Sequence, residues 1–307
     1  MSTLPRRILV GLAFPADPWL EDFGPSENEA QLVDHALAHA RNLGASLVFV
    51  TVLENADHPI PGHENSVHDV LRDRIDAWFE RVVSRCEVAN VDVTIAIREG
   101  RPWQRLIEEI RLTEADLVLV TPKRDTGTLD HMIHGSTTER LLRKAPVPVH
   151  VVCGRRNIPA RKILVPVDFS DVSGECVALA RDLAAKSDAT VTLVHALDYP
   201  NEIALRRESN GPELVAEYRE EVQAEARAKA AALIGDADIE VKLTDEWIVK
   251  ALPTLVSEGN FDLIIMGSVG RSGIAGFIIG NTAEKIFRTV DTSLWVVRPP
   301  GWESPVQ

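Results

Sequence analysis

An internal repeat of about half the chain length constrains the fold more than any other feature of the sequence. Four short segments recur in the same order in both halves. The matching segments are, in chain order, 6–11 with 161–166, 40–45 with 180–185, 116–120 with 262–266 and 135–139 with 280–284. A chain of 307 residues also has the length of two ordinary domains. We therefore expect a tandem duplication, with domain 1 over residues 1–154 and domain 2 over residues 161–307.

Each half alternates short apolar runs with segments of helical spacing. Residues 263–266, LIIM, have the length and composition of a buried parallel strand, whereas residues 29–43 place apolar side chains three and four positions apart. Such alternation predicts an α/β fold with parallel sheets and right-handed crossovers. We predict two tandem, open, parallel five-stranded sheets with helices on both faces, a Rossmann-like architecture. Residues 15–28 have no counterpart in the second half and are predicted to form a loop or a lid.

A glycine-rich segment follows the fourth predicted strand of the second half. Gly267, Gly270 and Gly280 precede Asn281 and Thr282, either of which can cap the next helix. Glycines let the backbone approach a ligand closely, and the free N–H groups of a helix N-terminus favour phosphate. The spacing excludes both GxxxxGK[ST] and GxGxxG. A flexible connection with glycines at its turns is the alternative interpretation.

The spacing Gly-x2-Gly-x9-Gly-Asn-Thr resembles the ATP-binding signature of the universal stress protein family, in which Ser or Thr follows the last glycine. Residues 165–170, VPVDFS, resemble the V-P-x-D-x-S opening of that family, and His195 ends the second strand as its histidine does. The resemblance covers nearly the whole chain, once in each half. It is strongest to the tandem, E-like members of the family.

This resemblance implies a strand order of 3-2-1-4-5 in each half, with ATP bound at the strand ends of the second half. Asp168 would face either the ribose or a metal ion, and Mg²⁺ is a candidate companion of the nucleotide. Backbone groups of the glycines would hold the phosphates, and residues after the first two strands would frame the adenine. The residues implied for this site are Pro166, Val167, Asp168, Ala196, Met266, Gly267, Gly270, Gly280, Asn281 and Thr282.

The first half departs from the signature. The sequence Gly11-Leu12-Ala13 has no aspartate, and Thr121 and Arg124 replace the first two glycines. A backbone with positive φ at those two positions would be costly without glycine. We therefore predict that the first half does not bind nucleotide. The alternative is that Lys123 and Arg124 meet phosphate through their charge.

Composition limits the function further. A net charge of −13 argues against nucleic acid or an acidic membrane as partner, and no apolar run has the length of a membrane span. Three widely spaced cysteines without a CxxC motif suggest neither a disulfide framework nor a zinc site, so the expected compartment is the cytoplasm.

No catalytic residue is predicted, and the metal ligands are unknown. The first hypothesis is a stress-response regulator that binds ATP through its second half. The alternatives are a slow Mg²⁺-dependent ATPase that uses Asp168, or a protein that binds an apolar ligand or a protein partner instead of nucleotide. The resemblance implies that the two halves pair through their fifth strands as an internal pseudo-dimer. Whether two chains also form a homodimer is left open by the sequence.

Overall fold

The computed structural model describes residues 4–54, 66–122, 136–153, 158–268 and 281–305. Over these residues each half alternates strands with helices. The elements of the first half are β1 (Arg7–Leu12), α1 (Glu27–Leu43), β2 (Ser46–Leu53), α2 (Val67–Val88), β3 (Val93–Glu99), α3 (Pro102–Thr113), β4 (Leu117–Val120), α4 (Ser136–Lys144) and β5 (Val149–Val151). The elements of the second half are β6 (Lys162–Pro166), α5 (Asp171–Ser187), β7 (Thr190–Ala196), α6 (Glu202–Leu205), α7 (Gly211–Ile234), β8 (Glu240–Thr244), α8 (Ile248–Gly259), β9 (Leu263–Gly267), α9 (Asn281–Thr289) and β10 (Ser293–Val297).

The strands form one ten-stranded sheet in the order β3-β2-β1-β4-β5-β10-β9-β6-β7-β8. Within each half the order is the expected 3-2-1-4-5 and the pairing is parallel. The α/β class is therefore confirmed. The expectation of two separate sheets is corrected in one respect, because β5 and β10 pair antiparallel and join the halves into a single sheet. The predicted pairing through the fifth strands accounts for this continuity.

Helices cover both faces of the sheet, and an apolar core lies under each layer. One core lies beneath α1, α2, α5 and α7, and the other beneath α3, α4, α8 and α9. Both cores contain residues of both halves, so burial continues across the junction. Strands such as β4, with all four residues buried, show why the sequence has continuous apolar runs there. Among the described residues, no helix is long and apolar enough to cross a membrane.

The junction between the halves is pseudo-symmetric. His150 of β5 lies directly opposite Trp295 of β10, and these residues occupy equivalent positions of the two halves. Two reciprocal ion pairs join α4 to α9: Arg143 contacts Glu284 at 3.0 Å, and Arg288 contacts Glu139 at 2.9 Å. The geometry is that of a two-fold interface built within one chain.

The structure corrects one segment of the sequence repeat. Helices α1 and α5 both span 17 residues and begin after the N-cap residues Ser26 and Ser170. Counted from these caps, residues 40–45 match residues 184–189, one helical turn later than the match at 180–185. The error has a simple cause, since a shift of about one turn leaves the apolar spacing of a helix nearly unchanged.

Candidate functional site

The carboxyl ends of β6 and β9 lie side by side, where the strand order of the second half reverses. Strand β6 pairs with β7 on one side and with β9 on the other. Ligands of open α/β sheets bind in the crevice at such a reversal. Pro166 and Gly267 are the last residues of these two strands, and Asp168 follows two residues after Pro166. The sequence-predicted residues on β6 and β9 therefore meet at one edge of the sheet.

Asp168 organises the turn from β6 into α5. Its Oδ1 atom accepts hydrogen bonds from Ser170 N (3.0 Å), Ser170 Oγ (2.5 Å) and Ser173 Oγ (2.9 Å). Ser173 Oγ in turn accepts from the Asp168 backbone N–H at 3.2 Å. The Ser170 hydroxyl is engaged with Asp168 and makes no side-chain cap bond to the helix that it precedes. The carboxylate thus fixes the strand-to-helix turn at the crevice.

His195 ties the end of β7 to the same turn. Its Nδ1 lies 2.8 Å from the Val167 carbonyl oxygen, so Nδ1 carries the proton and donates it. The Phe169 ring lies against the imidazole with a centroid separation of 4.3 Å. Phe169 has φ of 61°, a left-handed conformation that is unfavourable for a bulky residue. His195 is therefore a half-buried, hydrogen-bonded histidine that connects two strand ends.

The end of β9 forms the other side of the crevice. Met266 is buried and Gly267 is half-buried. Ser268 continues the chain by donating its backbone N–H to Val297 O at 2.9 Å, and its Oγ is buried without a hydrogen-bond partner among the described residues. The predicted Gly270 and Gly280 lie outside the described residues. Helix α9 begins at Asn281, whose side chain is also outside them, and Thr282 in its first turn is exposed.

Ala196, the last residue of β7, lies at the same edge and is half-buried. A polar network beyond it connects the segments that follow β7 and β8. Tyr199 Oη donates to Asp245 at 2.8 Å, and the Arg219 guanidinium lies over the Tyr199 ring at 4.6 Å. Glu202 pairs with Arg219 at 2.9 Å. This network was not predicted from the sequence, since it joins residues from α6, α7 and two loops.

The equivalent turn of the first half is built differently. The Ala13 N–H, which corresponds to that of Asp168, donates to the carboxyl group of Glu29. Glu29 is the third residue after the N-cap of α1, the position that Ser173 occupies in α5. Burial raises the pKa of Glu29 to about 8, opposed by the Ala13 hydrogen bond, and Glu29 Oε2 is buried without a partner among the described residues. The first half therefore has a carboxyl group here, but a largely protonated one supplied by the helix.

Two other features bear on the site. Within the described ranges, no group of three or more His, Cys, Asp or Glu side chains is arranged to hold a metal ion. A surface groove of about 680 Å³ lies between α2 and β3, with Phe79, Ile95 and Ile97 among its lining residues. This groove is at the outer edge of the first half and is separate from the strand ends of the second. We take the strand ends as the candidate site, because the strand order of the second half reverses there.

Comparison with known proteins decides the family. The family model described as "Universal stress protein family" matches residues 7–152 and again residues 159–298, which together cover most of the chain. The chain belongs to the universal stress protein family. It is a tandem member, with one family domain matched in each half. The resemblance stated from the sequence motifs is thereby confirmed.

Individual universal stress proteins are similar along most of the chain. Universal stress protein E of Salmonella typhi is 26% identical over 246 residues, covering 75% of this chain and 76% of that protein. The protein of the same name from Escherichia coli K12 gives the same identity and coverage. A putative universal stress protein of Pseudomonas aeruginosa UCBPP-PA14 has a crystal structure that covers 97% of this chain with a TM-score of 0.70 and 20% identity. At that identity the structural likeness shows the fold alone.

Proposed function

We propose that this universal stress protein binds ATP in the crevice at the carboxyl ends of β6 and β9, and that it acts as a stress-response regulator rather than as a fast catalyst. One observation supports this most: Asp168 and Gly267 lie at neighbouring strand ends in the second half, whereas Ala13 and Thr121 take their places in the first half. The crevice thus joins a carboxylate turn to the end of β9, and the sequence continues from Gly267 through the glycine-rich segment to α9.

The roles proposed for the residues are those that the family resemblance implies. The backbone N–H groups at Gly267, Gly270, Gly280 and Asn281, with the Thr282 hydroxyl, would bind phosphate near the helix N-terminus. Asp168 would face the ribose or a Mg²⁺ ion. Pro166, Val167 and the Ala196 backbone would frame the adenine. His195 holds the β6 and β7 ends together through Val167.

We favour a ligand-binding role for Asp168 over a catalytic one. Its Oδ1 already accepts three hydrogen bonds from Ser170 and Ser173, which hold the carboxylate in the strand-to-helix turn. We infer a protein whose nucleotide state is read by other molecules. The cytoplasm remains the proposed compartment, and domain boundaries at residues 1–154 and 161–307 remain the proposed division.

The test is calorimetric titration of the full chain with ATP in the presence of Mg²⁺. Gly270→Arg copies Arg124, the corresponding residue of the first half, and is expected to weaken ATP binding at least about tenfold. Leu112→Arg is the matched control, because it adds the same charge at a side chain that is 74% exposed in α3. Equal affinity of the wild type and Gly270→Arg would refute the proposed site.

A further inference from the structure

The chain between β1 and α1 is longer than the fold requires. Residues 13–26 separate β1 from α1, whereas residues 167–170 make the equivalent connection in the second half. The short connection already closes the turn there, through Asp168 and Ser173. The additional residues of the first half are therefore available for another purpose.

The insertion is fixed firmly to α2. Phe23, which is 9% exposed, stacks against Phe14 with a centroid separation of 5.9 Å, and Phe14 packs edge-on against Trp78 at 5.2 Å. The Arg74 guanidinium lies over the Phe23 ring at 4.6 Å and donates to the carbonyl oxygens of Pro18 and Leu20. The packing of the Phe23 ring and the two hydrogen bonds from Arg74 to backbone carbonyls thus hold this part of the insertion against α2.

This clamped segment, residues 17–22, presents apolar side chains to solvent. We call it the Trp19 turn. Trp19 is 59% exposed and Leu20 is 44% exposed, although the carbonyls of Pro18 and Leu20 are fixed by Arg74. Asp17 Oδ1 accepts the Trp19 backbone N–H at 2.9 Å and shapes the turn from within. A large apolar pair on a preorganised, exposed turn is typical of an interaction site, where little ordering entropy remains to be lost.

The charge around the Trp19 turn indicates what kind of partner fits it. Asp17, Glu21 and Asp22 flank Trp19 and Leu20 in the sequence and are exposed. Residues 13–26 contain no Lys or Arg, and the clamping Arg74 is half-buried beneath the turn. A second copy of a chain with net charge −13 would bring like charges together. A basic segment would instead pair with the carboxylates and place a cation over the Trp19 ring.

We propose that the Trp19 turn is a docking surface for a basic, apolar-bearing segment of a protein partner. Trp19 and Leu20 supply the apolar anchor, and the three carboxylates select for Lys and Arg. The surface lies in the insertion of the first half and does not depend on nucleotide binding in the second. It gives the first half a role of its own within the chain.

The test uses two synthetic amphipathic peptides, one of Leu and Lys and one of Leu and Glu in the same pattern. The full chain is titrated with each, and the indole N–H resonance of Trp19, assigned by its loss in Trp19→Phe, is followed among the six tryptophans. We expect saturable binding of the basic peptide with a selective shift of the Trp19 resonance. Trp19→Ala and Leu20→Ala are each expected to weaken binding about tenfold or more.

Trp247→Ala is the matched control, because Trp247 is 62% exposed but has Lys285 over its ring. It is expected to leave the affinity unchanged, and circular dichroism of each variant confirms folding. The proposal is overturned if the basic peptide shows no saturable binding, if the acidic peptide binds equally, or if Trp247→Ala weakens binding as much as Trp19→Ala. Self-association that is lost in Trp19→Ala would assign the surface to a second copy and would also overturn it.

Discussion

Ser173 and Glu29 occupy equivalent helix positions in the two halves but form different hydrogen bonds there. Ser173 is small and neutral, so it can bond both the backbone N–H and the carboxylate of Asp168. Glu29 fills the position with its own carboxyl group, which accepts from Ala13 N–H and leaves no role for an aspartate after β1. The presence of glutamate instead of serine at this helix position thus accompanies the absence of the aspartate motif from the first half.

The raised pKa of Glu29 makes stability depend on pH. Its folded-state pKa is raised to about 8 because the group is buried, whereas the ordinary value of a glutamate is 4.5. This contribution to stability is present below the unfolded pKa and is lost as pH rises towards the folded one. The wild type therefore loses stability as the pH rises between these two values, whereas a glutamine at this position does not titrate. We predict that Glu29→Gln gains about 1 kcal/mol relative to wild type for each unit of pH increase across that interval. Urea denaturation at several pH values measures this, and a difference that does not vary with pH would contradict it.

At the scale of elements, the C-terminus of α4 is capped by the other half of the chain. Arg298, just after β10, is buried and donates to the carbonyl oxygens of Leu141 (2.8 Å), Leu142 (2.7 Å) and Val147 (3.3 Å). Trp302 Nε1 donates to Ala145 O at 3.1 Å beside it. A helix end carries carbonyls without intrahelical partners and a partial negative charge, and a guanidinium satisfies both.

Removing this cap should be costly. Arg298→Met keeps the aliphatic stem but removes the guanidinium from the buried Leu142 carbonyl, from the half-buried Val147 carbonyl and from the Leu141 carbonyl, which still accepts the Ala145 N–H. We predict a loss of about 2 kcal/mol in unfolding free energy. Arg298→Lys is the matched variant, because one ammonium cannot bond all three carbonyls and should recover only part of the loss. Chemical denaturation measures both. A loss below about 0.5 kcal/mol in Arg298→Met would show that the cap is dispensable.

Elements formed by residues close together in the sequence could be predicted from it, whereas contacts between distant residues could not. The buried strand predicted at residues 263–266 is observed as β9, because a short apolar run determines it locally. The strand order came from the family motifs and is confirmed. The Arg298 cap of α4 and the Glu29 contact with Ala13 had no sequence signal, since each depends on residues that only the folded chain brings together. The family motifs singled out Asp168 and His195, but their hydrogen-bond partners required the structure.

At the scale of the whole molecule, the junction buries a cluster of histidines. His39 of α1 lies 5.2 Å from His150 and 5.8 Å from Trp295, centroid to centroid, and His150 stacks on Trp295 at 4.8 Å. Both nitrogens of His150 lack hydrogen-bond partners among the described residues. The equivalent of His39 in α5, counted from the helix caps, is Leu183. The first half thus places imidazoles where the second half has apolar side chains.

These histidines predict a loss of stability in acid. Burial lowers the pKa of His35 and His39 to about 4 and holds that of His150 well below its usual value. Histidine with a depressed pKa stabilises the fold above the unfolded pKa near 6.5, and that contribution falls as pH drops towards 4. His39→Leu, which copies Leu183, should therefore gain about 2 kcal/mol relative to wild type between pH 7 and pH 5. Denaturation at the two pH values measures it, and identical pH dependence of both proteins would exclude this role for His39.

The central claim is that one half of a pseudo-symmetric chain binds nucleotide and the other does not. Native mass spectrometry of the full chain with ATP and Mg²⁺ counts the bound nucleotides directly. The account predicts one ATP per chain, because the carboxylate turn and glycine segment occur together only in the second half of the sequence. Two ATP per chain would show that the Glu29 turn does not silence the first half, and none would contradict the proposed site altogether.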